Sequence, residues 1–129
     1  MSKRIGIDLD GTLATKFDNE DYNPGVIGEP VAPMVEQAKR WLAEGHDVVI
    51  FTARVSPSNA ESDIVVAKDA ICRWCRLVFG RELEITSDKD FRMSELWDDR
   101  ARQVVTNTGL PAVPVEGWGA SDWTGGMLE

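Results

Sequence analysis

The chain has 129 residues, with 14 Lys or Arg against 22 Asp or Glu, and its formal net charge is therefore −8. This length suits a single domain, and 43% hydrophobic with 28% charged residues is typical of a globular rather than a disordered protein. The acidic balance disfavours a protein that coats nucleic acid or binds an anionic membrane, because both functions need a basic surface. No apolar run approaches the roughly 20 residues of a membrane-spanning helix, and no signal-peptide core is present, so we expect a cytoplasmic protein.

Apolar segments of two kinds alternate along the chain and predict an α/β domain. Short β-branched runs indicate buried strands, and longer segments with apolar residues on one helical face indicate helices between them. Strands that alternate with helices are typical of a parallel sheet with right-handed connections. The predicted elements are, in chain order, a strand at residues 5–10, a flap at 14–32, a helix at 33–45, a strand at 47–52, a helix that begins near Ser58 or Asn59 and ends at Gly80, strands at 82–86 and 96–97, and a short helix at 100–105.

Acidic side chains stand at the ends of the first and the fourth predicted strands. Asp8 and Asp10 are two residues apart, so on an extended backbone they project to the same side, and Gly11 allows a sharp turn beside them. Asp98 and Asp99 follow the fourth strand. Because ligands of parallel sheets bind outside the carboxyl ends of the strands, we expect these four carboxylates to meet at one edge. A pair about 4 Å apart repels by about 4 kcal/mol at an effective dielectric constant near 20, so the cluster needs a cation, and oxygen ligands favour Mg²⁺ over zinc.

Two further polar side chains are expected at the same edge of the sheet. Thr52 ends the second strand and offers a hydroxyl donor, and Lys89 follows the third strand and offers a positive charge. With Mg²⁺, they favour an anionic substrate. A hard divalent ion, a lysine, a hydroxyl and a nucleophilic carboxylate together suit phosphoryl transfer.

Four segments, in this order, resemble the motifs of the haloacid dehalogenase (HAD) superfamily. The sequence IGIDLDGTL at residues 5–13 is similar to the first motif, in which apolar residues lead into Asp-x-Asp-Gly-Thr, and VVIFTAR at 48–54 is similar to the second, an apolar strand that ends in Thr or Ser. Lys89 stands where the third-motif lysine is expected, and LWDDR at 96–100 resembles the acidic fourth motif. The resemblance implies a Rossmann-like, three-layer α/β/α sandwich with a mainly parallel sheet.

The resemblance also implies a Mg²⁺-dependent phosphomonoester hydrolase that works through an aspartyl-phosphate intermediate. Asp8 would be the nucleophile, and Asp10 would protonate the leaving oxygen and then deprotonate the hydrolytic water. Asp10 favours phosphate chemistry over carbon–halogen cleavage, because dehalogenases of this superfamily lack the second acid. The implied metal ligands are the Asp8 carboxylate, the main-chain carbonyl of Asp10, and Asp98 and Asp99, of which either is the direct ligand. The implied phosphate-binding residues are Gly11, Thr52, Ala53, Arg54 and Lys89, although Arg54 alternatively pairs with the acidic flap.

The chain leaves no room for the folded cap domain that this superfamily usually carries. The flap before the first helix is short, and residues 53–88 are filled by one helix and one strand. We therefore expect a capless catalytic domain at residues 1–108, with a Gly- and Trp-containing tail at 109–129 that we leave unassigned. Such an open site admits a phosphorylated small molecule or an exposed phosphate on a larger one, or takes a lid from another subunit of a homo-oligomer.

Other functions share these motifs. A nucleic-acid 3′-phosphatase suits an open site, although the net charge counts against it, and a phosphotransferase would pass the phosphate to an alcohol instead of water. A non-catalytic phosphate-binding domain is a further alternative, weakened because no motif residue is missing. A receiver domain also places acids, Thr and Lys around Mg²⁺. There, however, the acidic pair comes first and the phosphorylated Asp stands alone on a later strand, whereas Asp-x-Asp comes first here.

Overall fold

The computed structural model of the protein describes residues 2–115. These residues fall into two compact units that divide after Asp99. Most of the predicted tail, residues 116–129, lies outside the described residues, so its role stays a prediction. Within the described range, every helix is too short or too polar to cross a lipid bilayer.

The first unit is built around a four-stranded sheet in which all paired strands are parallel. Its main elements are β1 (Arg4–Asp8), α1 (Ala32–Ala43), β2 (Asp47–Phe51), α2 (Glu61–Phe79), β3 (Glu84–Thr86) and β4 (Met93–Trp97). The strand order is β3-β2-β1-β4, so that β1 lies between β2 and β4. The predicted parallel α/β architecture is confirmed, and the carboxyl ends of β2 and β4 flank the end of β1.

The hydrophobic core lies between the sheet and the two helices. Alternate residues of β1 and β2 point to the same side because side chains alternate along a strand. The buried residues that pack together include Ile5 and Ile7 of β1, Val48 and Ile50 of β2, Val35 and Ala38 of α1, and Ala67, Ile71, Trp74 and Cys75 of α2. Both helices therefore contribute to one core, which holds the strands that carry the acidic residues.

The ends of several elements differ from the prediction. Strand β1 stops at Asp8 instead of residue 10, because the chain turns at once and the Ala14 N–H donates to the Leu9 carbonyl at 2.9 Å. Strand β4 begins at Met93, three residues before its predicted start at 96. Helix α2 ends as predicted at Gly80, whose φ of 73° is a left-handed conformation that suits glycine.

The N-cap of α2 lies one or two residues after the predicted N-cap at Ser58 or Asn59. The residue that precedes the helix is Ala60, whose side chain has no group that could cap it. Asn59 instead donates its side-chain N–H to the carbonyl oxygens of Ala53 and Arg54, at 2.8 and 3.2 Å. The side chain therefore stabilises the short 3₁₀ turn Ala53–Val55 that follows β2, and it is unavailable to the helix.

The flap, residues 14–32, is fastened at its base. Ala14 bridges Pro30, and the Thr15 N–H donates to the Glu29 carbonyl at 2.8 Å. The Trp74 indole N–H of α2 donates to the carbonyl of Gly28 at 3.2 Å. These contacts hold both arms of the flap against the domain.

The second unit, in its described residues, contains no helix, so the predicted helix at 100–105 is wrong. Val104 forms an antiparallel bridge with Pro111, and the Val105 N–H donates to the Leu110 carbonyl at 2.8 Å. The chain thus reverses direction in a turn. Adjacent β-branched side chains at 104–106 lose rotamer freedom in a helix, which favours the extended pairing.

Candidate active site

Three carboxylates meet at the carboxyl ends of β1 and β4. Asp8 is the last residue of β1, and Asp98 and Asp99 directly follow β4, the strand paired with β1. One oxygen from each carboxylate lies within 4.8 Å of the others. The parallel pairing of the two strands, as the sequence predicted, brings these three residues together.

The turn after β1 allows Asp99 to approach closely. Gly11 has a φ of 93°, and a Cβ at this position would lie 2.5 Å from Asp99 Oδ2. A residue with a side chain would therefore be strained in its backbone and would also push the carboxylate away. Glycine at this position is thus a requirement of the site's geometry.

Thr12 joins the cluster, although the sequence analysis did not assign it a role. Its hydroxyl oxygen lies 3.3 Å from Asp8 Oδ2 and 3.4 Å from Asp99 Oδ1, and it accepts the Asp99 N–H at 3.2 Å. The signal for it was present, because Thr12 completes the Asp-x-Asp-Gly-Thr pattern. The hydroxyl positions the loop after β4 against the turn after β1.

Burial and the neighbouring carboxylates both change the pKa of Asp8. Burial raises the pKa of Asp8 from its usual 3.8 to about 7, with further contributions from a hydrogen bond with Asp99 and from the charges of Asp98 and Asp99. The Thr12 hydroxyl acts in the opposite direction. A site that raises a carboxyl pKa in this way favours a bound cation, because a positive charge offsets the repulsion between the carboxylates.

Asp10 does not join these three carboxylates. Because β1 ends at Asp8, Asp10 lies beyond the strand, in the turn that follows it. Arg54 instead binds the Asp10 carboxylate through one edge of its guanidinium group, with Nε to Oδ2 at 2.8 Å and Nη2 to Oδ1 at 2.7 Å. The second acid of the pair therefore lies beside a positive charge, whereas the first lies among negative ones.

Arg54 also contacts the flap. Its Nη1 donates to the carbonyl oxygens of Asn23 and Pro24 at 3.2 and 3.3 Å, and its guanidinium carbon lies 5.0 Å from the centre of the Tyr22 ring. Only 5% of Arg54 is exposed. Of the two roles left open by the sequence, the structure places this side chain against the flap, through carbonyl groups and an aromatic ring rather than through acidic side chains.

Thr52 lies at the end of β2, as expected, and is 2% exposed. Its hydroxyl oxygen accepts the Arg54 N–H at 3.1 Å and caps the 3₁₀ turn, in which Ala53 is exposed. A hydroxyl that accepts one hydrogen bond still has its own proton to donate. The group therefore remains a candidate donor next to the site.

Lys89 is exposed, and within residues 2–115 it forms no hydrogen bond or ion pair with the carboxylates. The neighbouring Asp90 is bound instead to Arg4, with Nε to Oδ2 at 2.8 Å. Arg4 is the first residue of β1, at the opposite end from Asp8. The structure thus brings together the acids, Thr12, Thr52 and Arg54, and leaves the role of the lysine a prediction.

No protein-family model matches this chain, and no curated protein matches it. Among solved structures, the chain is similar to a conserved protein from Bacteroides thetaiotaomicron, with 23% sequence identity and a TM-score of 0.54 over 78% of each chain. At this level of identity, the likeness shows a shared fold.

Proposed function

We propose that the protein is a Mg²⁺-dependent phosphomonoester hydrolase of the HAD superfamily. The observation that carries this proposal is the cluster of Asp8, Asp98 and Asp99 at the carboxyl end of β1, with a second acid, Asp10, held apart from it two residues later. One carboxylate beside a cation site and another outside it match the two roles, nucleophile and general acid, that ester hydrolysis needs. The third layer of the predicted sandwich and the absence of a cap domain are parts of the same proposal.

The donor set fits Mg²⁺, which prefers oxygen ligands. Asp8, Asp98 and Asp99 would hold the ion together with the main-chain carbonyl of Asp10, and the raised pKa of Asp8 supports a preference for a cation at this place. When bound, the ion supplies positive charge that offsets the carboxylates and the charge of the transferring phosphoryl group. A donor set of carboxylates without His or Cys among its members disfavours zinc.

The chain's own residues would carry two chemical steps. In the first, an Asp8 oxygen forms a bond to phosphorus, the bond from phosphorus to the ester oxygen breaks, and Asp10 donates a proton to that oxygen. In the second, Asp10 takes a proton from water, the water oxygen bonds to phosphorus, and the bond to Asp8 breaks. Gly11, Thr52, Ala53 and Lys89 are proposed to contact the phosphoryl oxygens, which requires Lys89 to reach the site when the substrate binds.

The test is phosphate release from p-nitrophenyl phosphate and a panel of phosphorylated metabolites, in Mg²⁺ and in EDTA. Turnover that needs Mg²⁺ and is lost in Asp8→Asn supports the proposal. The matched control is Asp69→Asn, because Asp69 pairs with Arg73 at 2.9 Å on the exposed side of α2 and should keep full activity. Equal turnover in Mg²⁺ and EDTA, or in Asp8→Asn and the wild type, would contradict it.

One alternative, a phosphate-binding domain without turnover, has specific observations in its favour. Both oxygens of Asp10 are bound by Arg54, and within the described residues Lys89 forms no hydrogen bond or ion pair with the cluster, so two of the proposed groups are not poised for chemistry. Mg²⁺ binding by calorimetry with no turnover of any ester would favour this alternative. Transfer of phosphate to an added alcohol would instead identify a phosphotransferase on the same residues.

A further inference from the structure

The guanidinium group of Arg54 joins two parts of the molecule, the turn that carries Asp10 and the flap. Of its five N–H groups, four have acceptors: two on the Asp10 carboxylate, and one each on the carbonyls of Asn23 and Pro24. Asp10 and the flap therefore occupy most of the hydrogen-bond donors of Arg54. A phosphate group that bound bidentately to Arg54 would have to displace one of them.

The tip of the flap is hydrogen-bonded to the domain through this contact, and Ile27 at its end packs against the core. Among the described residues, the hydrogen bonds that join residues 18–27 to the rest of the domain are those from Arg54. The base of the flap has separate support, from the pairing of Thr15 with Glu29 and from Trp74. Removing the guanidinium group should release the tip and leave the base in place.

Asp10 depends on the same group for its orientation. A paired, two-point contact fixes the plane of a carboxylate, which one hydrogen bond does not do. Arg54 is itself held, because its backbone N–H donates to the Thr52 hydroxyl and its side chain is buried under the Tyr22 ring. The residues that hold Arg54, at the end of β2 and in the flap, therefore also help to fix the position of Asp10.

We propose that Arg54 is a positioning residue that couples the tip of the flap to Asp10, so that the flap helps to set where the second acid meets the leaving group. This inference rests on the proposed function for its kinetic consequence. Its structural consequence, coupling between residues 22–24 and Asp10, holds whether or not the protein turns over an ester. In this role, Arg54 binds Asp10 and the flap and does not bind the phosphate.

The structural consequence is tested by hydrogen exchange of the wild type, Arg54→Gln and Asp10→Asn. The amides of Tyr22 and Val26, which are bonded within the tip, should exchange at least tenfold faster in both variants. The amides of Thr15 and Val31, at the base, should keep their wild-type rates. Unchanged exchange of the tip in Asp10→Asn would overturn the coupling, because a purely local role of Arg54 in holding the flap does not need the carboxylate.

The kinetic consequence is a dependence on the leaving group. An alkyl alcohol needs a proton as it departs, whereas p-nitrophenolate does not, so a misplaced acid slows alkyl phosphates selectively. We expect Arg54→Gln to lower kcat for an alkyl phosphate about 100-fold or more and for p-nitrophenyl phosphate less than tenfold. Arg54→Lys should recover part of the loss, and Arg73→Gln, which changes an exposed arginine of α2, should behave as wild type.

The outcomes separate the two proposals. If Arg54→Gln lowers kcat equally for both esters, the defect is a general structural one. If it raises KM and weakens inhibition by inorganic phosphate while kcat is unchanged, Arg54 is a phosphate ligand. Either result overturns the positioning role. If the wild type hydrolyses neither ester, the hydrolase proposal fails. Faster exchange at Tyr22 in both variants would then still support the coupling of the flap to Asp10, and unchanged exchange would refute it.

Discussion

The carboxylates around Asp8 should make the metal-free protein less stable at high pH. The pKa of Asp8 is raised from 3.8 to about 7, chiefly by burial and by Asp99, so the folded state holds a proton that the unfolded chain has released. This contribution to stability is complete below about pH 4 and is lost as the pH rises to about 7. Three pKa units correspond to about 4 kcal/mol, and because Asp8 is only half-buried, solvent screening reduces the expected loss to about 1–2 kcal/mol.

The variant Asp99→Asn tests this reasoning, because it removes one charge while the shape of the side chain stays the same. Urea unfolding in EDTA at pH 5 and pH 8 gives the loss of unfolding free energy for each protein. We expect Asp99→Asn to lose less than the wild type, although burial still raises the pKa of Asp8, and the surface control Asp69→Asn to lose as much as the wild type. All other ionisable groups are common to the proteins compared. Equal losses in the wild type and Asp99→Asn would refute the argument.

Three further predictions concern the metal, the turn and the far end of the sheet. Mg²⁺ at ten times its dissociation constant should stabilise the wild type by about 1.4 kcal/mol in thermal or urea unfolding, and Asp99→Asn by less. Gly11→Ala should weaken Mg²⁺ binding in calorimetry at least tenfold, because its Cβ would meet the Asp99 carboxylate and its φ is positive; unchanged affinity would contradict this. Arg4→Met should cost about 2 kcal/mol at pH 7 in urea unfolding, because three carboxylates lose their partner. Arg4 lowers the pKa values of Glu84 and Asp90, so that loss should shrink as the pH falls through their titration, while Mg²⁺ affinity stays unchanged.

Much of the fold follows from local patterns in the sequence. Continuous apolar runs predict strands buried on both faces, and β1 and β2 have this character. The errors fall where a side chain has two possible partners. Asn59 is a good helix cap by residue type, but the carbonyl groups of the turn after β2 compete for it, and that turn exists only once the sheet has formed. Val104 and Val105 stand where a helix was predicted, but their pairing partners come several residues later in the chain.

The candidate site likewise has contacts that the sequence predicted and contacts that it did not. Asp8, Asp98 and Asp99 meet because β4 lies parallel and next to β1, so that the carboxyl ends of the two strands share an edge; the sequence predicted the parallel sheet but not this strand order. The partner of Asp10 did not follow, because Arg54 could reach either the substrate or the flap. The choice depends on where the carbonyl groups of the flap lie, and a backbone carbonyl has no signal in the sequence.

Asp8 and Asp10 acquire different surroundings because the strand ends between them. Asp8 is the last residue of β1, and its burial and the acidic loop of the neighbouring strand raise its pKa. Asp10 lies in the turn after β1, where its carboxylate binds the buried guanidinium of Arg54, which follows β2. The Asp8 carboxylate, rather than that of Asp10, therefore attracts a cation, because the charge of the Asp10 carboxylate is already paired with Arg54. In the proposed mechanism, this separation would leave Asp8 to bind the metal and attack phosphorus and Asp10 to transfer protons, and it arises from the strand end and the positive φ of Gly11.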